Sequence, residues 1–424
     1  MPISLRGWPI GERVRPTMET DGACMTLDKG GMRMPRNLAR RGLLGVLVVS
    51  LGVVALVSLA TAGERAKRRQ ANASAPPPIE SALLMEAATG AILFEKDIHK
   101  QRAPASMVKM MLMLIVMEKV HAGELHLSDT VIATAHASQM GGSQVFLRDG
   151  ETFTLEEMMK AIAIASANDA CVAVAEHISG TVEGFLELMS ERAKGLNMDD
   201  THFASVHGLP PTNGHPGDLT SAHDMAVLAR ALTKYPEILT WSAIKEDSLR
   251  EGKFILTNTN KLVYQFPGVD GFKTGFHTQA GFNVTATAQR DGLRMIAVVM
   301  GAPTSTVRFD EAKRLLAMGF SSYRKVVLVR KDAPVGPEIK VSGSTVRQVR
   351  AVAQEDVAVV VKKGMERQLV TDVQVPKDLS APAHRGQVIG EVRVKHQDQI
   401  LTKTAAVVPE EIPKVNLIWR LFGR

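Results

Sequence analysis

The sequence predicts an α+β fold followed by a small all-β domain. Candidate helices fill the middle of the chain, while strand-like runs lie on both sides of them, at 81–96 and 253–300. One sheet would then be assembled from N- and C-terminal strands and packed on helices, unlike an alternating βαβ fold. Beyond Lys325 the texture changes to short β-branched runs separated by Gly, Pro and charged turns. Near the start, eight apolar residues in a row, Met110 to Met117, describe a helix apolar all round, the kind buried at the centre of a domain.

Taken in order, Arg36, Arg40 and Arg41 precede an uncharged apolar run from Gly42 to Ala62 that ends Ala-Thr-Ala. A basic region, an apolar region and an Ala-x-Ala end describe a secretory signal peptide cleaved after Ala62. The run is also long enough to span a bilayer, so a retained anchor is the competing reading, and both place the rest of the chain outside the cytoplasm. Residues 63–78, with a basic cluster and Pro76-Pro77-Pro78, read as a linker. Ser81 to Glu86 and Ala91 to Lys96 flank Ala88-Thr89-Gly90 as a β-hairpin. Thr154 and Glu157 form a capping box ahead of a helix that breaks at Ser166-Ala167-Asn168 and resumes to Gly180. Helices are expected at Thr181 to Lys194, at Ser221 to Leu232, and at Phe309 to Met318 with Gly319 as its stop. Strands are expected at Phe254 to Leu256, Gly271 to Gly275, Phe282 to Gln289 and Leu293 to Met300, the last two joined by Arg290-Asp291-Gly292. The main domain thus runs over 79–325. A β-rich domain follows over 326–408, with runs at Val326 to Val329, Glu338 to Val341, Val357 to Val361 and Val388 to Val394. Residues 409–424 close the chain. In them Val415, Leu417, Ile418, Trp419, Leu421 and Phe422 share a helical face opposite Lys414, Asn416, Arg420 and Arg424, a pattern suited to a membrane interface.

Composition narrows the functional classes. The 424 residues are 45% hydrophobic, enough for two or three domains. The net charge of +7 is spread along the chain, with no basic stripe interleaved with aromatics, so a nucleic-acid partner is not expected. The two cysteines, Cys24 and Cys171, match no metal-ligand spacing, and Cys171 in a run of small apolar residues reads as an inert core thiol.

Chemistry concentrates in three short segments. Ser106 and Lys109 are three residues apart at the head of the apolar helix, within reach of one another, so the lysine amine can act as base for the serine if burial or another cation lowers its pKa. Ser166 and Asn168 offer a hydroxyl and an amide at a helix break. Lys273, Thr274 and Gly275 offer a second cation, a hydroxyl and a residue without a side chain, where a substrate backbone could lie close to the strand. Each is unremarkable alone: a helix start, a cap, a turn. Together, in this order and 60 and 167 residues from Ser106, they form the signature of β-lactamases and penicillin-binding proteins.

From Ile79 to Phe320 the sequence resembles the low-molecular-mass penicillin-binding proteins that are serine-type D-alanyl-D-alanine carboxypeptidases of peptidase family S11. The likeness rests on Pro104-Ala105-Ser106-Met107-Val108-Lys109, Ser166-Ala167-Asn168-Asp169-Ala170-Cys171, Thr201-His202-Phe203 with His207-Gly208-Leu209, and Val269-Asp270-Gly271-Phe272-Lys273-Thr274-Gly275. It implies a β-lactamase/transpeptidase-like domain, a β-domain and a membrane-attaching helix on the outer face of the inner membrane. It implies that Ser106 is acylated by the penultimate D-alanine of a peptidoglycan stem peptide, and by β-lactam antibiotics, with no cofactor. Lys109 would be the base, Ser166 and Lys273 the proton relay, and Asn168 a partner of the substrate amide. The amides of Ser106 and Phe276 would hold the oxyanion, Thr274, Gly275 and His277 would line the substrate strand, and Arg308 would hold the terminal carboxylate.

The sequence departs from the family pattern at Ala167, often glycine, at Val108, commonly threonine, and at His277, where threonine is common. The alternatives are a D,D-endopeptidase, a non-catalytic penicillin sensor, a class A β-lactamase and a zinc peptidase. The third would need a Glu-x-x-x-Asn motif, which is missing between Asn168 and Lys273. The fourth would draw on His202, His207, His215 and His223, but no His-Glu-x-x-His motif is present.

Overall fold

The computed structural model describes residues 79–211, 214 and 216–415, all within one compact unit, Pro77–Arg424. The expected signal or anchor, the linker, His215 and residues 416–424 lie outside the described residues.

Strands β1 (Ser81–Glu86) and β2 (Ile92–Lys96) form the opening hairpin. A 3-10 turn at Ala105–Val108 leads into α1 (Lys109–His121). Strands β3 (Thr130–Ile132) and β4 (Thr152–Thr154) pair antiparallel around the intervening loop. Helix α2 (Leu155–Lys160) starts at the Thr154–Glu157 capping box, both halves of which are formed. It passes through a π-helical stretch, Ala161–Ala165, and ends at Ser166, whose left-handed backbone (φ 64°) forces the break. Helices α3 (Asn168–Ser179), α4 (Val182–Gly195), α5 (Ala222–Leu232) and α6 (Pro236–Ala243) follow. Then come the hairpin β5 (Glu246–Leu249) and β6 (Phe254–Thr257), strands β7 (Val269–His277), β8 (Gly281–Arg290) and β9 (Leu293–Ala302), and helix α7 (Ser305–Ser322).

The main sheet has the order β2-β1-β9-β8-β7, with every pairing antiparallel. It joins the N-terminal hairpin to the last three strands, as the sequence pattern predicts. Alternation along the strands separates two cores. Leu83, Met85, Ile296, Val298 and Met300 face the helical cluster around α1, while Ala82, Leu84, Met295, Ala297 and Val299 face α7. Helix α1 is buried from Lys109 through Met117, which explains its uninterrupted apolar run.

Helix α7 runs three residues past Gly319, the expected stop. A Cβ at that position would lie 3.1 Å from Met295 and 3.2 Å from Leu84, so this glycine serves the packing of helix on sheet. Strand β5, Glu-Asp-Ser-Leu, lacks β-branched residues and is held by its pairing with β6.

The remaining strands are β10 (Tyr323–Val329), β11 (Pro334–Ser342), β12 (Gln348–Ala353), β13 (Val357–Lys362), β14 (Leu369–Gln374), β15 (Asp378–Ser380), β16 (Val388–His396) and β17 (Gln399–Val407). Six form a sheet of order β14-β16-β17-β12-β11-β15, and β10 pairs with β13. Their core is built of valines, alanines, Ile339 and Ile412. No helix begins at residue 409: Ile412 bridges Ala383 in backbone pairing and Val415 N–H donates to the Gly343 carbonyl at 2.8 Å. Pro409 and Pro413 make this stretch a poor helix start. Among the described residues no helix is long and apolar enough to cross a membrane.

Candidate active site

The turn that carries Ser106 is held from three sides. Ala105 has a left-handed backbone (φ 50°), costly for a residue with a Cβ and kept only where the surroundings demand it. Those surroundings include two glycines. A Cβ on Gly208 would stand 2.1 Å from the Ala105 carbonyl oxygen, and one on Gly275 would stand 2.2 Å from that of Pro104. The space at Gly275 is therefore taken by the serine turn itself. This corrects the expectation that the missing side chain is there to admit a substrate backbone. From β8, the Asn283 amide donates to the carbonyls of Ala103 (2.9 Å) and Pro104 (3.2 Å) and accepts from Gly301 N–H (2.8 Å).

Ser106 opens onto a wholly buried amine. Lys109 Nζ lies 3.0 Å from Ser106 Oγ, 3.2 Å from Ser166 Oγ and 2.6 Å from Asn168 Oδ1. The amide oxygen can only accept, so one N–H points there. A neutral amine can then donate to Ser166 and take the hydrogen of the Ser106 hydroxyl on its lone pair. The left-handed Ser166 and the start of α3 at Asn168 bring both side chains to the lysine, so the helix break read from the sequence is a geometric requirement of the site.

The loop between β3 and β4 closes one side. Asn168 donates from its side chain to the Gly141 carbonyl (2.6 Å) and from its backbone to that of Ser143 (2.7 Å). The buried Asp169 carboxylate accepts from Val145 N–H (3.0 Å) and Leu147 N–H (3.1 Å).

Both lysines are fully buried. Burial disfavours the charged form and lowers Lys109 from the ordinary 10.5 to about 8, partly opposed by Asp169 and Asp218. Lys273 is driven well below its ordinary value, first by burial and then by the positive charge of Lys109. Cys171 is buried, with its thiol pushed up to about 12 and its Sγ bonded to the Ala167 carbonyl, as an inert core thiol should be.

Strand β7 is the edge of the main sheet, so its outer backbone groups are not consumed by a neighbouring strand. Along it, among the described residues, Lys273 Nζ reaches only the Thr274 carbonyl, at 3.4 Å, and makes no direct hydrogen bond to the Ser106–Lys109–Ser166–Asn168 cluster. Thr274 Oγ1 bonds Thr259 Oγ1 at 3.0 Å, and Phe276 is half-exposed and stacked on Phe282. His277 Nδ1 accepts from Ala280 N–H (3.2 Å), which leaves the hydrogen of its neutral ring on Nε2. Arg308, in the first turn of α7, donates to the carbonyls of Asn283 (3.1 Å) and Gly275 (3.4 Å) and to Ser305 Oγ (3.0 Å). Burial lowers it to about 10, and no carboxylate among the described residues pairs with it. Its uncompensated charge sits directly behind β7. Of the histidines weighed as zinc ligands, His207 Nδ1 accepts from Leu209 N–H and His223 lies 3.1 Å from Asp224.

Ser106, Lys109, Ser166 and Asn168 thus form one hydrogen-bonded cluster, with Lys273 coupled to it by charge and β7 alongside. Asn283 and the loop contacts of Asp169 were missed in the sequence. For Asn283 the local signal is an isolated amide inside a strand.

This arrangement, on an antiparallel sheet packed between helices, defines a serine-type penicillin-binding peptidase. The chain belongs to the D-alanyl-D-alanine carboxypeptidase family, which it matches over residues 69–304, and it carries the C-terminal domain of penicillin-binding protein 5 over residues 323–414. It is 37% identical over 380 residues to the D-alanyl-D-alanine carboxypeptidase DacF of Bacillus subtilis, covering 89% of this chain and 96% of that one. It is 31% identical to DacC of Escherichia coli, covering 80% and 86%. The structure superimposes on penicillin binding protein 5 from Haemophilus influenzae with a TM-score of 0.66 at 30% identity, over 80% of this chain and 99% of that one.

Proposed function

We propose that Ser106 is the nucleophile with which this enzyme removes the terminal D-alanine from peptidoglycan stem pentapeptides. Neutral Lys109 takes the Ser106 hydroxyl proton as Oγ bonds to the carbonyl carbon of the penultimate D-alanine. The oxyanion forms against the backbone amides of Ser106 and Phe276. The C–N bond then breaks, and the proton reaches the leaving amine through Ser166 and Lys273. Water then attacks the ester carbonyl and gives a proton to neutral Lys109, which passes it to Ser106 Oγ as the C–O bond breaks and the shortened peptide leaves. Asn168 bonds the substrate amide, and Thr274 and the free edge of β7 carry the extended peptide, with His277 beside it. Arg308 supplies the positive charge for the terminal carboxylate. A β-lactam enters by the same attack, but its leaving nitrogen stays tethered, so the ester persists.

The observation that carries this reading is the buried Lys109 amine within hydrogen-bond distance of Ser106, Ser166 and Asn168 at once. In the purified full-length chain, Ser106→Ala should abolish both D-alanine release from a pentapeptide and covalent labelling by a fluorescent penicillin. Labelling that survives the substitution would overturn it.

We further propose that the chain is exported through residues 1–62 and held at the outer face of the inner membrane by the amphipathic segment beyond Val415. Removing residues 416–424 from the chain that begins at Gly63 should release it from sedimenting anionic vesicles. Unchanged sedimentation would locate the anchor elsewhere.

A further inference from the structure

The tip of the β5–β6 hairpin reaches across to the loop that holds Asn168, through one side chain. Arg250 Nε and Nη2 grip the two oxygens of Glu151, at 2.7 and 2.8 Å. Its Nη1 donates to the Val145 carbonyl (2.9 Å) and Nη2 also donates to that of Phe146 (3.0 Å). The guanidinium carbon lies 5.3 Å from the centre of the Phe153 ring and 5.7 Å from that of Phe254, which meets Phe146 edge to face. A planar fork with this set of donors is something only arginine supplies.

The same loop segment is tied on its inner side to the reacting cluster. Val145 N–H donates to Asp169 while the Val145 carbonyl accepts from Arg250, so one residue is pinned from both directions. The Gly141 carbonyl takes the Asn168 side-chain N–H, which orients the amide so that its oxygen faces Lys109. If that carbonyl moved, the amide could turn and set an NH2 group against the amine. The loop also carries strain: Phe146, an exposed residue, has a left-handed backbone (φ 55°). Such a conformation persists only where neighbouring contacts over-determine it, and Arg250 grips the carbonyls of Phe146 and the residue before it.

We propose that Arg250 is a positioning residue for acylation, acting through the 141–151 loop on the side chain of Asn168. The proposal rests on the reading of Ser106 and Lys109 given above. The Arg250–Val145 hydrogen bond, between residues 105 positions apart, joins a hairpin outside the three motif segments to the loop that orients the amide serving the base.

The test is the rate of acylation of the full-length chain by a fluorescent penicillin, expressed per labelled site so that misfolded molecules do not enter. Arg250→Gln should still reach one label per chain, but its rate constant at saturating penicillin should fall by roughly ten- to hundredfold, the effect of a small misplacement in a reacting cluster. Arg250→Lys keeps the charge without the fork and should recover only part of the rate. Lys253→Gln, which removes an exposed cation from the same hairpin, should leave it unchanged. An Arg250→Gln rate per labelled site equal to wild type would overturn the proposal. So would a loss seen only in the labelled fraction, which is the mark of a purely structural role. If Arg250→Gln does not fold, Glu151→Ala removes one of the three anchors; a slower rate per site supports the proposal, and a wild-type rate overturns it. Labelling of Ser106→Ala would instead remove the underlying reading.

Discussion

The interiors of the two halves of this protein are made of different chemistry. Up to Glu311 the buried side chains include Lys109, Asn168, Asp169, Asp218, Lys273 and Arg308, whereas beyond it the described residues bury only apolar side chains. The β-rich region keeps its charges outside, in pairs such as Lys395–Asp372 at 2.6 Å and Arg393–Glu391 at 2.5 Å. A buried charge costs stability unless it is paired, and among the described residues no carboxylate pairs with Lys109 or Lys273. The first region therefore gives up stability to keep amines dry and partly neutral. The second is built as an ordinary β-sheet core that asks nothing of its polar groups.

Substitutions should separate the two regions cleanly. The largest effect belongs to Lys109→Ala, which should lower the acylation rate by about a thousandfold, within the range for loss of a general base. The wild-type pH profile checks the same residue. A protonated amine cannot accept the serine hydrogen, so the rate should climb about tenfold per pH unit below the Lys109 pKa of about 8 and level off above it. A rate that keeps rising until pH 10 would remove Lys109 from this role. A smaller effect, of a different kind, is expected in the β-rich core. Ile339→Ala should cost about 2–5 kcal/mol in denaturant unfolding of that region and leave acylation per labelled site unaltered. If acylation fell as well, the two regions would be coupled in a way their interiors do not suggest.

The same contrast governs how much could be read in advance. Ser106 with Lys109, Ser166 with Asn168, and Lys273 with Thr274 are near neighbours in sequence, so each pair is a visible motif; the capping box announces the start of α2, and Ser166 and Asn168 its break before α3. Asn283 bonding the Ala103 carbonyl and Arg250 bonding the Val145 carbonyl are contacts across more than a hundred residues, and no local pattern flags them. Gly275 and Gly319 were visible, but their reasons were not, because a glycine looks alike whether it ends a helix, admits a ligand or makes room for a neighbour. In the β-rich region β12, β14, β15 and β17 escaped notice. Strands with half-exposed faces carry Arg, Gln, Asp and Lys among their valines, and only pairing with neighbours makes them strands.

The two glycines that press on the serine turn have an evolutionary meaning as well. Every single-base change that replaces glycine with another amino acid installs a side chain. At 208 or 275 that side chain would begin about 2 Å from a carbonyl of the turn, far inside any tolerable contact, and would push Ser106 out of place. The displacement would spoil attack on the stem peptide as much as attack on a β-lactam. A lineage under antibiotic selection therefore gains nothing at these positions, and escape has to come from sites where drug and peptide touch different atoms.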